Sequence, residues 1–146
     1  TTVVGRNARR RPRMTLYVHS SALLKRYVDE HDSAVAAELM KSDPVLVTSR
    51  LTEVEVRRNL ARLLGGEELD TQRQAFAVDL DAFALVSLDA TTMSAAAMIA
   101  EQTLCRSLDS IHLGAARRAG SATTLLTFDV RQARAARQIG IDVVGT

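Results

Sequence analysis

Three acidic residues and one histidine flank the apolar segments of this chain at positions from which they could meet. They are Glu55, Asp109, Asp129 and His19. Carboxylates held close together raise one another's pKa unless a cation neutralises them. Hard divalent cations such as Mg²⁺ or Mn²⁺ bind oxygen ligands of this kind. If the fold gathers the four positions, the sequence predicts a divalent-metal site in which His19 stands where a fourth acid is expected.

The elements that must position these residues alternate between strands and helices. Apolar, β-prone runs predict strands over residues 15–18, 45–48, 84–88, 123–128 and 141–144. Helix-spaced apolar residues predict helices over residues 22–29, 33–40, 49–64, 70–83, 91–103, 109–119 and 130–139, several of them beginning at capping residues. This alternation indicates an α/β fold with a parallel sheet that is covered on both faces.

The four candidate residues lie next to the ends of these predicted elements. Ligands of open α/β sheets bind beyond the carboxyl ends of the strands. His19 follows the first strand and Asp129 the fourth, while Asp109 opens a helix and Glu55 lies one turn into another. Both aspartates could act only as helix caps, although one carboxylate oxygen can cap while the other faces a metal. Glu53 and Glu55 point about 200° apart on their helix, so periodicity alone does not choose between them.

The chain length predicts one domain, in residues 14–146, after a basic segment in residues 1–13. That segment holds five arginines and no acid, and Met14 directly precedes the first apolar run. Without it, 14 basic and 17 acidic residues remain, a net charge of −3. We interpret residues 1–13 as a disordered leader, from a tag or upstream sequence, with a nucleic-acid-binding arm as the alternative.

Several classes of protein find no support in the sequence. No apolar run approaches the roughly 20 residues that span a bilayer, so no membrane partner is expected. The single cysteine, Cys105, cannot form an internal disulfide, so we expect the protein to lie in a reducing cytoplasm. No Gly-x-x-x-x-Gly-Lys segment is present for a Walker-type nucleotide site. A receiver or phosphohydrolase on a similar sheet would need an aspartate after a central strand, and position 19 is not aspartate.

Four segments in order make the chain resemble a PIN domain and, within that group, the VapC ribonuclease toxins of toxin–antitoxin pairs. The segments are residues 16–25, 54–60, 108–113 and 127–129, which read LYVHSSALLK, VEVRRNL, LDSIHL and TFD. The resemblance covers nearly all of residues 14–146 and assigns the glutamate of the second segment to Glu55 rather than Glu53. It implies a PIN-like three-layer αβα sandwich with a central, mostly parallel five-stranded sheet.

The resemblance also implies an activity and partners. It implies a metal-dependent endoribonuclease that cleaves RNA and blocks translation, with one or two Mg²⁺ or Mn²⁺ ions bound. It implies a VapB-type antitoxin partner, a homodimer, and a heterotetramer or larger assembly with the antitoxin. It gives catalytic and metal-binding roles to Glu55, Asp109, Asp129 and the position of His19, and supporting roles to Ser20, Ser21 and Thr127.

His19 departs from the family pattern, which has aspartate at this position. A neutral imidazole adds no negative charge and suits borderline metals better than Mg²⁺. We therefore expect cleavage to be severely reduced or absent. Three explanations stay open: inactivation of a toxic enzyme, an altered site that uses Mn²⁺ or another metal, or a misaligned motif. The alternative function is a catalytically dead PIN module that binds antitoxin or RNA without cleaving.

For several other residues, a role in packing or on the surface is a simpler interpretation than a role in function. His112 is predicted to be a packed histidine or one that supports a ligand, rather than a ligand itself. Arg57, Arg58 and Arg62 are interpreted as a solvated face, with an RNA or antitoxin contact as the alternative. The resemblance suggests an antitoxin groove along residues 23–40 and 51–64. Small residues around 92–100 and 115–119, with Met93 and Met98, suggest core or dimer packing.

Overall fold

A five-stranded sheet runs through the centre of the molecule, and every pair of neighbouring strands is parallel. The structure, a computed structural model, describes residues 14–42 and 44–146. The strands are β1 (Thr15–Val18), β2 (Val45–Ser49), β3 (Ala84–Val86), β4 (Thr124–Leu126) and β5 (Val143–Val144), in the spatial order β3-β2-β1-β4-β5. The predicted α/β fold with a central five-stranded sheet is confirmed. The prediction for residues 1–13 lies outside the described residues and stays a prediction.

Seven α-helices cover the two faces of this sheet in the described part of the chain. They are α1 (Ser20–Leu23), α2 (Ser33–Lys41), α3 (Arg50–Leu63), α4 (Gly66–Asp81), α5 (Ala90–Thr103), α6 (Ser107–Arg118) and α7 (Val130–Gln138). A 3₁₀ turn, Leu24–Arg26, follows α1. None of the described helices is long and apolar enough to cross a membrane.

Alternating residues of β1 divide the core into two apolar clusters, one on each face of the sheet. Leu16 and Val18 pack with residues of α1 to α4, whereas Tyr17 packs with residues of α5, α6 and α7. Side chains of a strand point alternately to opposite faces, so one central strand serves both layers. The predicted three-layer sandwich is therefore confirmed.

Three predicted helix starts were wrong. Helix α4 begins at Gly66, well before Asp70 or Thr71, and its first turn holds two glutamates that favour a helix N-terminus. Helix α6 begins at Ser107, so Asp109 lies within its first turn rather than at its cap. Helix α1 begins at Ser20 and is capped by His19, not by Ser20.

Helices α5 and α6 pack closely against each other, and this contact positions the residues of α6 that face the sheet. A Cβ atom on Gly114 would lie 3.0 Å from the backbone nitrogen of Ala96. Ala115 and Ala116 are buried inside the chain's own core, so they are not available to contact a second copy of the chain. The methionines of α5, Met93 and Met98, are exposed rather than packed in the core.

Candidate active site

A cavity of about 360 Å³ at the carboxyl edge of the sheet gathers the four predicted residues. We call it the site cavity, and its walls are His19, Glu55, Arg106, Ser107, Leu108, Asp109 and Asp129. His19 and Asp129 occupy the turns after two adjacent strands, β1 and β4, while Glu55 projects from α3 and Asp109 from the first turn of α6. The structure selects Glu55 for this cavity, because Glu53 pairs with Arg50 elsewhere on α3.

The buried side chain of His19 caps helix α1. Its Nδ1 accepts a hydrogen bond from the backbone N–H of Ser21 at 3.1 Å. A backbone N–H can only donate, so Nδ1 carries no proton and a neutral ring holds its proton on Nε2. Burial, with nearby His112 acting in the same direction, lowers the pKa of His19 to about 3, so the ring is neutral near pH 7. His19 therefore offers the cavity an N–H group and not a lone pair.

The predicted supporting residues tie the turn after β1 to the turn after β4. The Ser21 hydroxyl lies 2.8 Å from Nδ1 of His19 and accepts a hydrogen bond from the backbone N–H of Phe128 at 3.0 Å. The Thr127 hydroxyl accepts from the backbone N–H of Asp129 at 3.1 Å. The Ser20 hydroxyl donates to Glu55 Oε1 at 3.3 Å. Positions 19 and 129 are thus held in a fixed relation.

A buried chain of hydrogen bonds holds the glutamate of the site cavity. His112 is fully buried; its Nε2 is hydrogen-bonded to Glu55 Oε1, and its Nδ1 lies 2.9 Å from the Tyr17 hydroxyl. A carboxylate can only accept, so Nε2 donates, and Nδ1 of the neutral ring accepts from Tyr17. The Tyr17 hydroxyl also lies 2.9 Å from the Ser49 hydroxyl.

This chain of hydrogen bonds favours an ionised glutamate. Burial raises the pKa of Glu55, but the hydrogen bonds from His112 and Ser20 outweigh this effect and lower the pKa below its usual value. The ligand atoms of His19, Glu55 and His112 lie within 4.8 Å of one another. However, both ring nitrogens of His112 are occupied by Glu55 and Tyr17, as expected for a histidine that supports a ligand.

An arginine that the sequence analysis did not single out joins the two aspartates of the site cavity. Arg106 donates from Nε to Asp109 Oδ2 at 2.9 Å and from Nη2 to Asp129 Oδ2 at 3.2 Å. Asp129 Oδ1 accepts from the backbone N–H groups of Arg131 and Gln132, which confirms its predicted role as the cap of α7. An arginine directly before helix α6, three residues ahead of an aspartate in its first turn, was the available sequence signal for this contact.

Comparison with known proteins identifies the family, because a family model described as the PIN domain matches residues 16–138. The chain belongs to the PIN domain family. A relative of this PIN domain, Ribonuclease VapC35 from Mycobacterium tuberculosis (strain ATCC 25618 / H37Rv), is 37% identical over 134 residues, which are 88% of this chain and 95% of the relative. The resemblance noted in the sequence is therefore confirmed at the level of the family.

Solved structures share the fold of this PIN domain at much lower sequence identity. FitAcB from Neisseria gonorrhoeae has a TM-score of 0.72 and 17% identity, over 90% of this chain and 97% of that chain. A toxin–antitoxin complex from Klebsiella pneumoniae has a TM-score of 0.68 and 16% identity, over 90% and 96% of the two chains. Identities this low support the fold alone.

The four predicted positions of this PIN domain differ in what they can offer a divalent cation. Asp109 Oδ1 and Glu55 Oε2 make no hydrogen bond within residues 14–42 and 44–146, so two carboxylate oxygens could face a hard cation. Position 19 supplies an N–H group instead of an oxygen, and Arg106 already neutralises part of the charge of the two aspartates.

Proposed function

We propose that this PIN domain is a toxin-type endoribonuclease of a toxin–antitoxin pair in which His19 abolishes or severely reduces metal-dependent cleavage. The relative named as a ribonuclease supports the class, and the fold is shared with a protein from a toxin–antitoxin complex. The convergence of Glu55, Asp109 and Asp129 on one cavity supports a hydrolytic site that uses a divalent ion. The observation that carries the inactivation is the hydrogen bond from the Ser21 amide to Nδ1 of His19.

Position 19 would have two tasks, which are to accept the cap hydrogen bond and to present a negatively charged oxygen to a cation. An imidazole cannot perform both. A carboxylate can accept the amide N–H of the cap with one oxygen and present its second oxygen to a cation. An imidazole that accepts with Nδ1 keeps its proton on Nε2 and adds no negative charge. A bound divalent ion in such a site activates water and stabilises the charge that develops on the scissile phosphate. Glu55 would supply one ionised ligand, held in that state by His112.

The substitution His19→Asp tests the proposal, with His19→Asn as its matched control. Asparagine can accept the cap hydrogen bond like aspartate, but it carries no charge. We expect cleavage of a panel of structured RNAs, in Mg²⁺ and separately in Mn²⁺, to appear with His19→Asp. Its rate should be about 10² times that of the unchanged chain and of His19→Asn, because one electrostatic contact in a reaction site contributes about this factor. A chelator should abolish the gained activity.

Other outcomes would favour the alternatives. Equal cleavage by the unchanged chain and the aspartate variant in Mn²⁺ would mean that His19 belongs to an altered working site. Cleavage by neither protein, with retained binding of RNA or antitoxin, would favour a catalytically dead PIN module. Equal gains from aspartate and asparagine would refute the argument that the charge at position 19 is decisive.

We also propose an antitoxin that covers the apolar side chains exposed on the early helices. Val35 of α2 and Val54 and Leu63 of α3 are exposed large apolar residues in the region that the resemblance suggested. Amphipathic partner segments bind surfaces of this kind. We propose a homodimer as well, and Met93 and Met98 of α5 are exposed large apolar residues in the region suggested for it.

A further inference from the structure

A second cavity, of about 280 Å³, adjoins the site cavity on the side of helix α7. We call it the arginine groove, and its walls include Leu104, Arg106, Asp109, Arg131, Arg134 and Gln138. It shares Arg106 and Asp109 with the site cavity. A polymer that crosses the site cavity can therefore continue directly into the groove.

Two arginines give the groove an uncompensated positive charge. Arg131 and Arg134 are exposed, and their positions three residues apart place them on one face of α7. Neither side chain forms an ion pair or a hydrogen bond with another residue in the described part of the chain. Arg106 and Asp109, at the boundary with the site cavity, already neutralise each other. The groove can therefore accept an anion without first breaking an existing contact of Arg131 or Arg134.

The groove also has an apolar wall. Leu104 is 86% exposed and sits in the left-handed region with φ 58°. A nucleotide combines a phosphate that suits the fork of a guanidinium with a base that packs against apolar side chains. A wall that combines arginine with leucine matches this chemistry.

We propose that the arginine groove binds single-stranded RNA, with Arg131 and Arg134 contacting backbone phosphate next to the nucleotide in the site cavity. The inference rests on the proposed function, because it takes the site cavity to be the place where RNA is cleaved. It adds residues that bind substrate without taking part in the hydrolysis itself. RNA is favoured over an acidic peptide because the groove opens into the cavity that the proposed function assigns to RNA cleavage, so that one strand can occupy both.

Salt-dependent binding by the intact, unchanged chain tests the groove, and omitting divalent ions keeps metal-dependent cleavage out of the titration. The probe is a fluorescein-labelled, mixed-sequence 12-nucleotide RNA, titrated without divalent ions at several salt concentrations. Each phosphate contact on a single strand contributes roughly 0.7 to the slope of log K against log salt. The double variant Arg131→Ala/Arg134→Ala should bind more weakly and lose about 1.4 from the magnitude of that slope, with each single variant losing about half as much.

The matched control is Arg73→Ala/Arg118→Ala, which removes two exposed arginines that line neither the groove nor the site cavity. It should leave the slope unchanged. Residues 1–13, with their five arginines, are identical in all variants and cancel in the comparison. Unchanged melting temperatures would show that every variant is folded.

Three results would overturn the proposal. They are no RNA binding by the unchanged chain at low salt, an unchanged slope in the groove variant, and an equal loss in the control. A glutamate peptide of the same charge that loses as much affinity in the groove variant would overturn the assignment to RNA. A slope loss in the groove variant without any cleavage by His19→Asp would support RNA binding in the groove and reject the proposed hydrolytic function. Cleavage by His19→Asp without a slope loss would support the hydrolytic function and reject RNA binding in the groove.

Discussion

The site cavity has two halves that hold their carboxylates in different ways. In the inner half, Glu55 is hydrogen-bonded to the buried ring of His112 and, through it, to Tyr17. In the outer half, Arg106 bridges Asp109 and Asp129, but 58% of its side chain is exposed. A buried hydrogen-bonded charge is costly to uncover, whereas an exposed ion pair contributes little to stability. The inner half is therefore part of the folded core. In the outer half, a metal ion can replace the Arg106 guanidinium as the partner of the two aspartates.

The largest effect should come from removing the imidazole of the inner half. His112→Ala leaves the Glu55 carboxylate and the Tyr17 hydroxyl without their buried partner and opens a cavity. The lost hydrogen bonds and the new cavity should together cost about 3 kcal/mol of unfolding free energy in urea. His31→Ala, at a histidine side chain that is 97% exposed, is the control and should change nothing measurable. A loss of less than about 1 kcal/mol from His112→Ala would remove the distinction between the halves.

A smaller effect is expected from Tyr17→Phe, which keeps the ring but removes the hydroxyl. The loss of its hydrogen bonds to His112 and Ser49 should cost about 1 to 2 kcal/mol at pH 8. Tyr27→Phe is the control, because its hydroxyl donates to Asp79 Oδ2, away from the cavity. Only the first variant should shift the imidazole NMR signals of His112, and equal shifts in both would contradict the proposed chain of hydrogen bonds.

The same variant has a defined dependence on pH. Burial raises the pKa of Tyr17 above its usual value of 10.0, since the folded protein favours the neutral phenol. Its stabilising contribution is therefore complete below pH 10 and is lost as the pH rises above 10 toward the folded pKa. The stability difference between Tyr17→Phe and the unchanged chain should shrink between pH 8 and pH 11 in urea unfolding. A constant difference would mean that Tyr17 is not held neutral by burial.

Features that depend on local sequence patterns could be predicted, whereas side-chain contacts between residues far apart in sequence could not. The alternation of strands and helices, and the rule that ligands bind beyond the strand ends, were sufficient to bring positions 19, 109 and 129 together, whereas the choice of Glu55 over Glu53 needed the family resemblance. The partners of Tyr17 were not predictable, because Ser49 and His112 lie 32 and 95 residues away and Tyr17 looks like an ordinary core residue of β1. The cap formed by His19 was missed because Ser20 is the commoner capping residue.

The smallest effect on stability, and the sharpest test of the comparison, should come from Arg106→Ala. The midpoint of urea unfolding should stay nearly unchanged, because the arginine is exposed and screened by solvent. Asp109 and Asp129 would lose their compensating charge, so affinity for Mn²⁺ in isothermal titration calorimetry should rise roughly tenfold or more. Arg118→Ala is the matched control, since Arg118 pairs with Asp89 at 3.5 Å on the surface, and it should leave Mn²⁺ binding unchanged. Unaltered Mn²⁺ affinity in Arg106→Ala would show that the guanidinium does not compete with a metal, and a large loss of stability would show that the outer half is as structural as the inner one.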